Sequence, residues 1–245
     1  MLRRNPNLAR NRVGLIIPSV NATTEAEFYW LAPEGFSFHT VRIMLRETTP
    51  EGLRRMNQDL DAAVDLLASL APTVVAYACT SGSFLDGERG LEKLTADIGA
   101  KVDCPVIATS AAMVAALRSM AVGRVALVTP YLDIVNEAER AFLEACGFEV
   151  VSCGGMGLSG DAIREVPPEE VRDFALTLDR DDAEALFISC TDLRALETVE
   201  ALEETLEKPV LTSNQVTLWA LLRACGHAAP LAGAGRLLAA GAAAA

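Results

Sequence analysis

The sequence predicts an α/β protein built from two copies of one half, each a parallel sheet covered by helices in three layers. Three observations carry this. The chain repeats itself: VGLIIP from Val13 to Pro18 recurs as VALVTP from Val125 to Pro130, VVAYACT from Val74 to Thr80 as ALFISCT from Ala185 to Thr191, and PVIATS from Pro105 to Ser110 as PVLTSN from Pro209 to Asn214. The pairs keep their order at a nearly constant displacement, with one short deletion late in the second copy, which reads as a duplication. Each apolar run has strand length, ends at Pro, Thr, Ser or Cys, and is followed by a segment with helical periodicity. The runs are continuous rather than alternating, as strands buried on both faces require.

The elements follow in order. Leu53, Met56, Leu60, Val64 and Leu67 recur at spacings of three and four and make one apolar helix face. Leu91, Leu94 and Ile98 do the same, as do Val171, Phe174, Ala175 and Leu178. Pro167, Pro168, Glu169 and Glu170 start a helix, with proline in the first turn and carboxylates at the positive end of the dipole. No Pro/Gly/Ser-rich linker separates the halves. The expected domains are residues 1–115, completed by 216–245, and residues 116–215. In parallel sheets, ligands sit beyond the C-terminal strand ends. Two halves related by a pseudo-twofold would place those ends across one cleft.

Composition narrows the function. With 245 residues, 51% of them hydrophobic, the chain can bury one large core or two small ones, which argues against disorder. A net charge of −12 with no basic block excludes a nucleic-acid binder. It leaves a small acid open as ligand, because a few local donors outweigh a diffuse field. No run reaches the roughly 18 apolar residues of a membrane span, so no membrane partner is expected; Val13 to Val20 is short and broken by Pro18. The basic opening segment lacks the apolar core of a signal peptide. Six cysteines without framework spacing read as thiols, which predicts the cytoplasm. The closing alanines are expected to fray.

The chemistry is expected at the strand ends. Both copies place a cysteine followed by threonine there: Cys79, Thr80 and Ser81 in the first, Cys190 and Thr191 in the second. Free backbone N–H groups at such ends favour a thiolate, so both thiols are expected to have lowered pKa values. The hydroxyls of Thr80, Ser81 and Thr191 suit a substrate carboxylate. Either cysteine alone could be a small buried residue; the matched pair points to catalysis. Asn21 either orients a carboxylate or caps the helix from Thr23 to Trp30. Tyr131 either donates its phenol into the cleft or packs beside Pro130, and Ser213 with Asn214 either does similar work or caps a helix. Cys104, Cys146, Cys153 and Cys225 read as core filling. With no Cys-x-x-Cys and only His39 and His227, no metal site is expected. The glycines at 155, 157 and 160 match GxGxxG, but Pro167 and Pro168 delay the next helix, so a flexible loop over the cleft is expected rather than a dinucleotide site.

At these residues the sequence resembles the maleate cis–trans isomerase branch of the aspartate/glutamate racemase superfamily. The matching segments are IIPSVNATTE, AYACTSGSF, TPYLDIVNEAE, ISCTDLRA and SNQVTLWALLR, spread from Val13 to Arg223. The resemblance implies two flavodoxin-like domains, an active site between them, no cofactor, and a homodimer. It also implies that Cys79 and Cys190 form the catalytic pair, and that Asn21, Thr80, Ser81, Tyr131 and Thr191 hold the carboxylates of a small dicarboxylate. Cys79 would add to the double bond of maleate and Cys190 would supply the proton. A racemase would use the same thiols to exchange a Cα proton. An arylmalonate-type decarboxylase would need only the thiol at Cys190, and related decarboxylases lack the cysteine at Cys79. A small-acid sensor would leave both thiols without a task. One departure stands out: the isomerases carry an asparagine in the loop before the second-half helix, where this chain reads GLSGD from Gly157 to Asp161.

Overall fold

The computed structural model describes residues 10–241. The first nine residues of the basic opening segment and the last four alanines lie outside the described residues. The first half runs β1 (Asn11–Pro18), α1 (Thr23–Leu31), β2 (Phe36–Ile43), α2 (Pro50–Asn57), α3 (Leu60–Ala68), β3 (Val74–Tyr77), α4 (Thr80–Phe84), α5 (Gly87–Gly99), β4 (Val106–Ala108) and α6 (Thr109–Ser119). The second runs β5 (Arg124–Thr129), α7 (Asp133–Ala145), β6 (Glu149–Gly155), α8 (Pro168–Leu178), β7 (Ala185–Ile188), α9 (Val199–Leu206), β8 (Val210–Thr212), α10 (Ser213–Ala224) and α11 (Gly235–Ala239). Short 3-10 turns cover Gly160–Ile163 and Leu196–Thr198. No described helix is long and apolar enough to cross a membrane.

The strands form two four-stranded sheets, ordered β2-β1-β3-β4 and β6-β5-β7-β8. Every pairing is parallel. Replacing β1–β4 by β5–β8 turns one order into the other, so the repeat in the sequence is a repeat in topology: a two-domain α/β arrangement. The Ala78 N–H reaches the Ile16 carbonyl at 2.9 Å, and the Ser189 N–H reaches the Val128 carbonyl at 2.8 Å. Cys79 and Cys190 each follow these matched bonds, at the point in each sheet where the connections diverge and ligands bind.

Side chains along the first sheet alternate between two cores. Val13, Leu15 and Ile17 of β1 and Val74, Ala76 and Ala78 of β3 join one cluster, whereas Ile16, Val75, Tyr77 and Cys79 join the other with α2 and α3. The first cluster continues without a break into Val125–Val128 and Leu186–Ile188 of the second sheet. Helix α10 makes the join, packing on α6, β3 and β4 as well as on β8.

The apolar face from Leu53 to Leu67 is buried at all five expected positions, yet it belongs to two helices rather than one. The chain tightens between them: the Gln58 N–H bonds the Arg55 carbonyl and the Asp59 N–H the Met56 carbonyl, while the Asn57 side chain leaves the helix to donate to the Gly82 carbonyl. Periodicity reports the buried face and passes over such a break. Helix α2 starts where Thr49 Oγ1 accepts the Gly52 N–H at 3.1 Å, and a Cβ on Gly52 would lie 2.2 Å from the Glu47 carbonyl oxygen. As expected, α8 starts at Pro168, and the glycines at 155–160 do not open a helix.

Backbone strain is concentrated at one cysteine. Among described non-glycine residues, Ala71, Ala121 and Glu207 take φ of 49°, 56° and 56° at helix ends, but Cys190 takes φ 94° at the end of β7. A non-glycine residue held there costs about 1–3 kcal/mol and persists only where its surroundings enforce it. Two acids are also buried where the repeat matches them, since the displacement that carries Pro18 to Pro130 carries Glu27 to Glu139. Burial pushes each carboxyl up from 4.5 to about 8, against hydrogen bonds from Asn214 to Glu27 and from Ser189 to Glu139. Each therefore holds its proton in the folded state at pH values where the unfolded chain has released it, so stability falls as pH rises between those values.

Two outcomes follow from this frame. Cys190→Gly should melt above Cys190→Ala, by the equivalent of about 1 kcal/mol, inverting the usual order of these residues; the opposite order in thermal melts would contradict strain at Cys190. Glu139→Gln removes one of the two titrations, so melts at pH 5 and pH 8 should differ less in the variant than in the wild type. Parallel changes would show that Glu139 does not couple to folding.

Candidate active site

The site forms because each half needs the other to satisfy its strand-end turns. In the first half, β1 leads through Ser19–Ala22 into α1. Asn21 Oδ1 accepts the Thr23 and Thr24 N–H groups at 3.2 and 3.0 Å, so Asn21 does cap the helix start. Its Nδ2 meanwhile crosses to Thr191 Oγ1 of the second half at 3.1 Å. The capping reading of Asn21 thus holds, and its amide nitrogen also ties the two halves together. Thr191 Oγ1 donates onward to the Ala78 carbonyl at 3.2 Å, beside Cys79. Thr24 Oγ1 bonds the Thr191 carbonyl and Asn214 Oδ1 at 3.0 and 3.1 Å.

A second crossing supports Cys190. Thr80 Oγ1 donates to Ser213 Oγ at 2.8 Å, and the same oxygen accepts the Cys190 N–H at 3.0 Å. This holds the strained backbone of Cys190. It also spends the Thr80 hydroxyl on Ser213, so Thr80 serves as a strut rather than as part of the cavity wall. Behind Cys190, both carboxyl oxygens of Glu139 receive the Ser189 hydroxyl at 2.7 and 2.8 Å.

At the junction lies a small, partly open cavity of about 30 Å³, large enough for water but narrow for an acid. Asn21, Ser81, Tyr131, Cys190, Thr191 and Asp192 supply its polar wall, and Val20, Leu45 and Ile163 an apolar one. Five of the seven expected site residues thus line one space; Cys79 and Thr80 stand outside that lining. The segment after β6 reaches the cavity, with Gly160 in its wall, but it is not the flexible loop expected. It is tied down at several points: Met156, Gly157 and Leu158 N–H groups bond the turn from Thr129 to Tyr131, and Ser159 Oγ accepts the Thr48 N–H at 3.1 Å. The Arg164 guanidinium adds a bond to the Val20 carbonyl at 3.1 Å. These contacts hold the loop at the rim of the cavity.

The thiols depart from expectation. Cys79 and Cys190 are 4% and 8% exposed, and all six cysteines are free. Burial pushes Cys79 up to about 11, against donation from the Gly82 N–H, Ser81 and Tyr77. Burial and the Asp192 carboxylate push Cys190 up to about 12, against the Asp192 N–H and Tyr131. The strand-end N–H groups anticipated from sequence are present, at 3.4 Å from Cys79 Sγ and 3.4 Å from Cys190 Sγ. At both buried thiols, loss of water outweighs them. Tyr131 is buried, with its hydroxyl in hydrogen-bonding reach of Cys190, and the charges of both thiols act on it. Tyr77 plays a matching part behind Cys79, bonded to Asn57.

Several residues escaped the sequence reading. Asp192 follows Thr191 directly, and its Oδ1 accepts the Ala22 and Thr23 N–H groups at 2.7 and 3.2 Å. Glu27 is another, held by Asn214, which the sequence offers with Ser213: Asn214 Nδ2 ties Glu27 to the Thr191 carbonyl at 2.7 and 3.0 Å, while Thr212 rather than either residue caps α10. Glu27 and Glu139 carried a usable signal, since the repeat aligns them. Nothing local marked Asp192. Of the remaining cysteines, Cys153 lies in β6 and Cys225 caps the end of α10. His39 lies in β2 with its ring beside Ser37, and His227 follows α10 against the Phe36 ring. Among the described residues no group of three or more His, Cys, Asp or Glu could hold a metal ion.

Comparison with known proteins places this geometry in a family. The family model for arylmalonate decarboxylase matches residues 13–238. A maleate isomerase of Nocardia farcinica is 32% identical over 93% of this chain and 95% of its own. A structure of the Nocardia farcinica maleate cis–trans isomerase, a cysteine-to-serine mutant with a covalently bound succinylcysteine intermediate, superposes with a TM-score of 0.90 at 30% identity, covering 93% of this chain and 98% of that one. A Pseudomonas putida maleate isomerase holding maleate superposes with a TM-score of 0.88 at 28% identity, covering 94% and 98%. With the paired strand-end cysteines on the same fold, the chain belongs to the arylmalonate decarboxylase family, together with the maleate isomerases.

Proposed function

We propose that this protein is a cofactor-independent cytoplasmic enzyme that isomerises maleate to fumarate through a covalent bond to Cys79, with Cys190 as proton donor. One observation carries the reading: thiols from opposite halves stand at one junction, Cys190 in the cavity lining and Cys79 just outside it, each near enough that its thiolate would act on Tyr131. The relatives named maleate isomerases support the reaction, and the succinylcysteine in the Nocardia structure supports a carbon–sulfur bond. The reading takes residues 1–115 with 216–245 as one domain and 116–215 as the other; the packing of α10 on α6, β3 and β4 favours that division.

The chemistry follows the geometry. Substrate enters while the loop contacts of Thr48, Ser159 and Arg164 are open, and Cys79 gives its proton to water. Closure strips the thiolate of water, which raises its energy in a cavity this small. Its electron pair forms the C–S bond to one alkene carbon, and the displaced π pair moves toward the neighbouring carboxyl. Donors from Asn21, Ser81 and Tyr131 stabilise that charge, while the Thr191 hydroxyl, given to the Ala78 carbonyl, holds Asn21 in place. Cys190, held protonated by burial, transfers its proton to the adjacent carbon and becomes the thiolate. The central bond is now single and rotates. Cys190 removes a proton from the same carbon, the C–S bond breaks, and fumarate leaves. Covalent catalysis thereby replaces one high rotation barrier with several lower ones. Thr80 acts at a distance, through Ser213, on the Cys190 backbone.

A second reading has one feature in its favour. Val20, Leu45 and Ile163 give the cavity an apolar wall beside Cys190, as decarboxylation of an arylmalonate would need, with Cys190 alone as proton donor. Proton NMR of the purified protein with maleate separates the two. Fumarate should appear, and both Cys79→Ala and Cys190→Ala should abolish it while remaining folded. Phenylmalonate losing carbon dioxide in wild type and Cys79→Ala alike, with maleate untouched, would instead identify a decarboxylase.

A further inference from the structure

Asp192 lines the cavity and carries a buried acceptor that nothing in the protein satisfies. The residue is 6% exposed and lines the cavity next to Cys190 and Thr191. The N-terminal turn of α1 grips its Oδ1 through the Ala22 and Thr23 N–H groups, and Thr23 Oγ1 holds its carbonyl at 2.9 Å. The side chain is therefore fixed. Its Oδ2 is buried and has no hydrogen-bond partner. The other polar groups of the wall are amide, hydroxyl and thiol, and no lysine or arginine lines the space. Arg164 acts on Asp192 from outside, with its guanidinium committed to the Val20 carbonyl, Asp161 and Glu165. Two carboxylates placed face to face without water cannot both stay ionised; with Asp192 ionised, a ligand group opposite Oδ2 must bring the hydrogen.

We propose that Asp192 is a specificity-determining residue that selects the un-ionised end of the substrate, so that the site takes a cis-unsaturated acid with one carboxylate and one hydrogen-bond-donating end, a carboxamide or a protonated carboxyl. This rests on the cavity being the site of the proposed isomerisation and refines which form of the substrate it accepts. The carboxylate end meets the donors of Asn21, Ser81 and Tyr131. The other end gives Asp192 Oδ2 its missing partner, an arrangement that discriminates strongly because the buried acceptor is left unpaired by the wrong ligand.

Saturated analogues test the proposal without any reaction at the thiols. Calorimetric titration near neutral pH with succinamate and with succinate should show the wild type binding succinamate tighter by about tenfold. Asp192→Asn keeps the acceptor for Ala22 and Thr23 and offers an N–H where Oδ2 stood, so its preference should reverse toward succinate. Equal affinities in the wild type, a wild-type preference for succinate, the same order in both proteins, or binding of neither analogue would overturn the proposal. The wild-type comparison stands even if the variant misfolds. Conversion of maleate and maleamate, followed separately, judges the reaction: a succinamate preference without any conversion keeps the role of Asp192 and removes the isomerase reading, whereas conversion without that preference removes the role of Asp192 alone.

Discussion

The hydrogen bonds that cross between the halves at their strand ends are what the rest of the structure depends on. Each half ends β1 and β3, or β5 and β7, in turns and helix starts that expose backbone groups, and burying them unpaired would cost about 1–3 kcal/mol each. Asn21, Thr24 and Thr80 of the first half meet Thr191, Asn214 and Ser213 of the second. Asp192 meets the start of α1. These pairings bring the two cysteines to one place, and they hold Cys190 at a φ its own side chain disfavours. The apolar core shared through α10 supplies the bulk stability; the polar seam supplies the geometry.

That seam is also unusual in its charge. Besides Tyr77 and Tyr131, the buried titratable groups around it among the described residues include the acids and thiols Glu27, Glu139, Asp192, Cys79 and Cys190. Desolvation is the first cause of the upward shift in all five. Glu27, Glu139 and the two thiols thus keep their protons near neutral pH rather than pairing charges, in a chain of net charge −12 where further buried carboxylates would be costly. Proton storage suits the proposed chemistry, in which one thiol must be a donor and the other must become reactive only in the company of substrate.

Much of this was legible in the sequence, because duplication is a pattern and patterns survive without coordinates. The paired segments anticipated two sheets of equal order, and the Cys-Thr pairs anticipated where the strands would end. The thiol pKa values were misjudged for a physical reason. Strand-end N–H groups are visible in a sequence, whereas how tightly the neighbouring side chains pack around each thiol is not, and at Cys79 and Cys190 burial wins. Thr80 was assigned to the cavity by its place beside Cys79, yet its hydroxyl faces Ser213, a choice made by the other half of the molecule. The break between α2 and α3 was hidden because both helices bury the same stripe. Asp192 was hidden because an acid after a threonine is ordinary until its second oxygen is found without a partner.

The account turns on the division of labour between the two thiols, and mass spectrometry of Cys190→Ser incubated with maleate tests it most directly. Without the proton-exchanging thiol, return from the adduct should slow, so the intact mass should rise by one maleic acid and peptide mapping should place the addition on Cys79. An adduct on another cysteine would contradict the account, as would the absence of any adduct in a folded variant whose wild type forms fumarate.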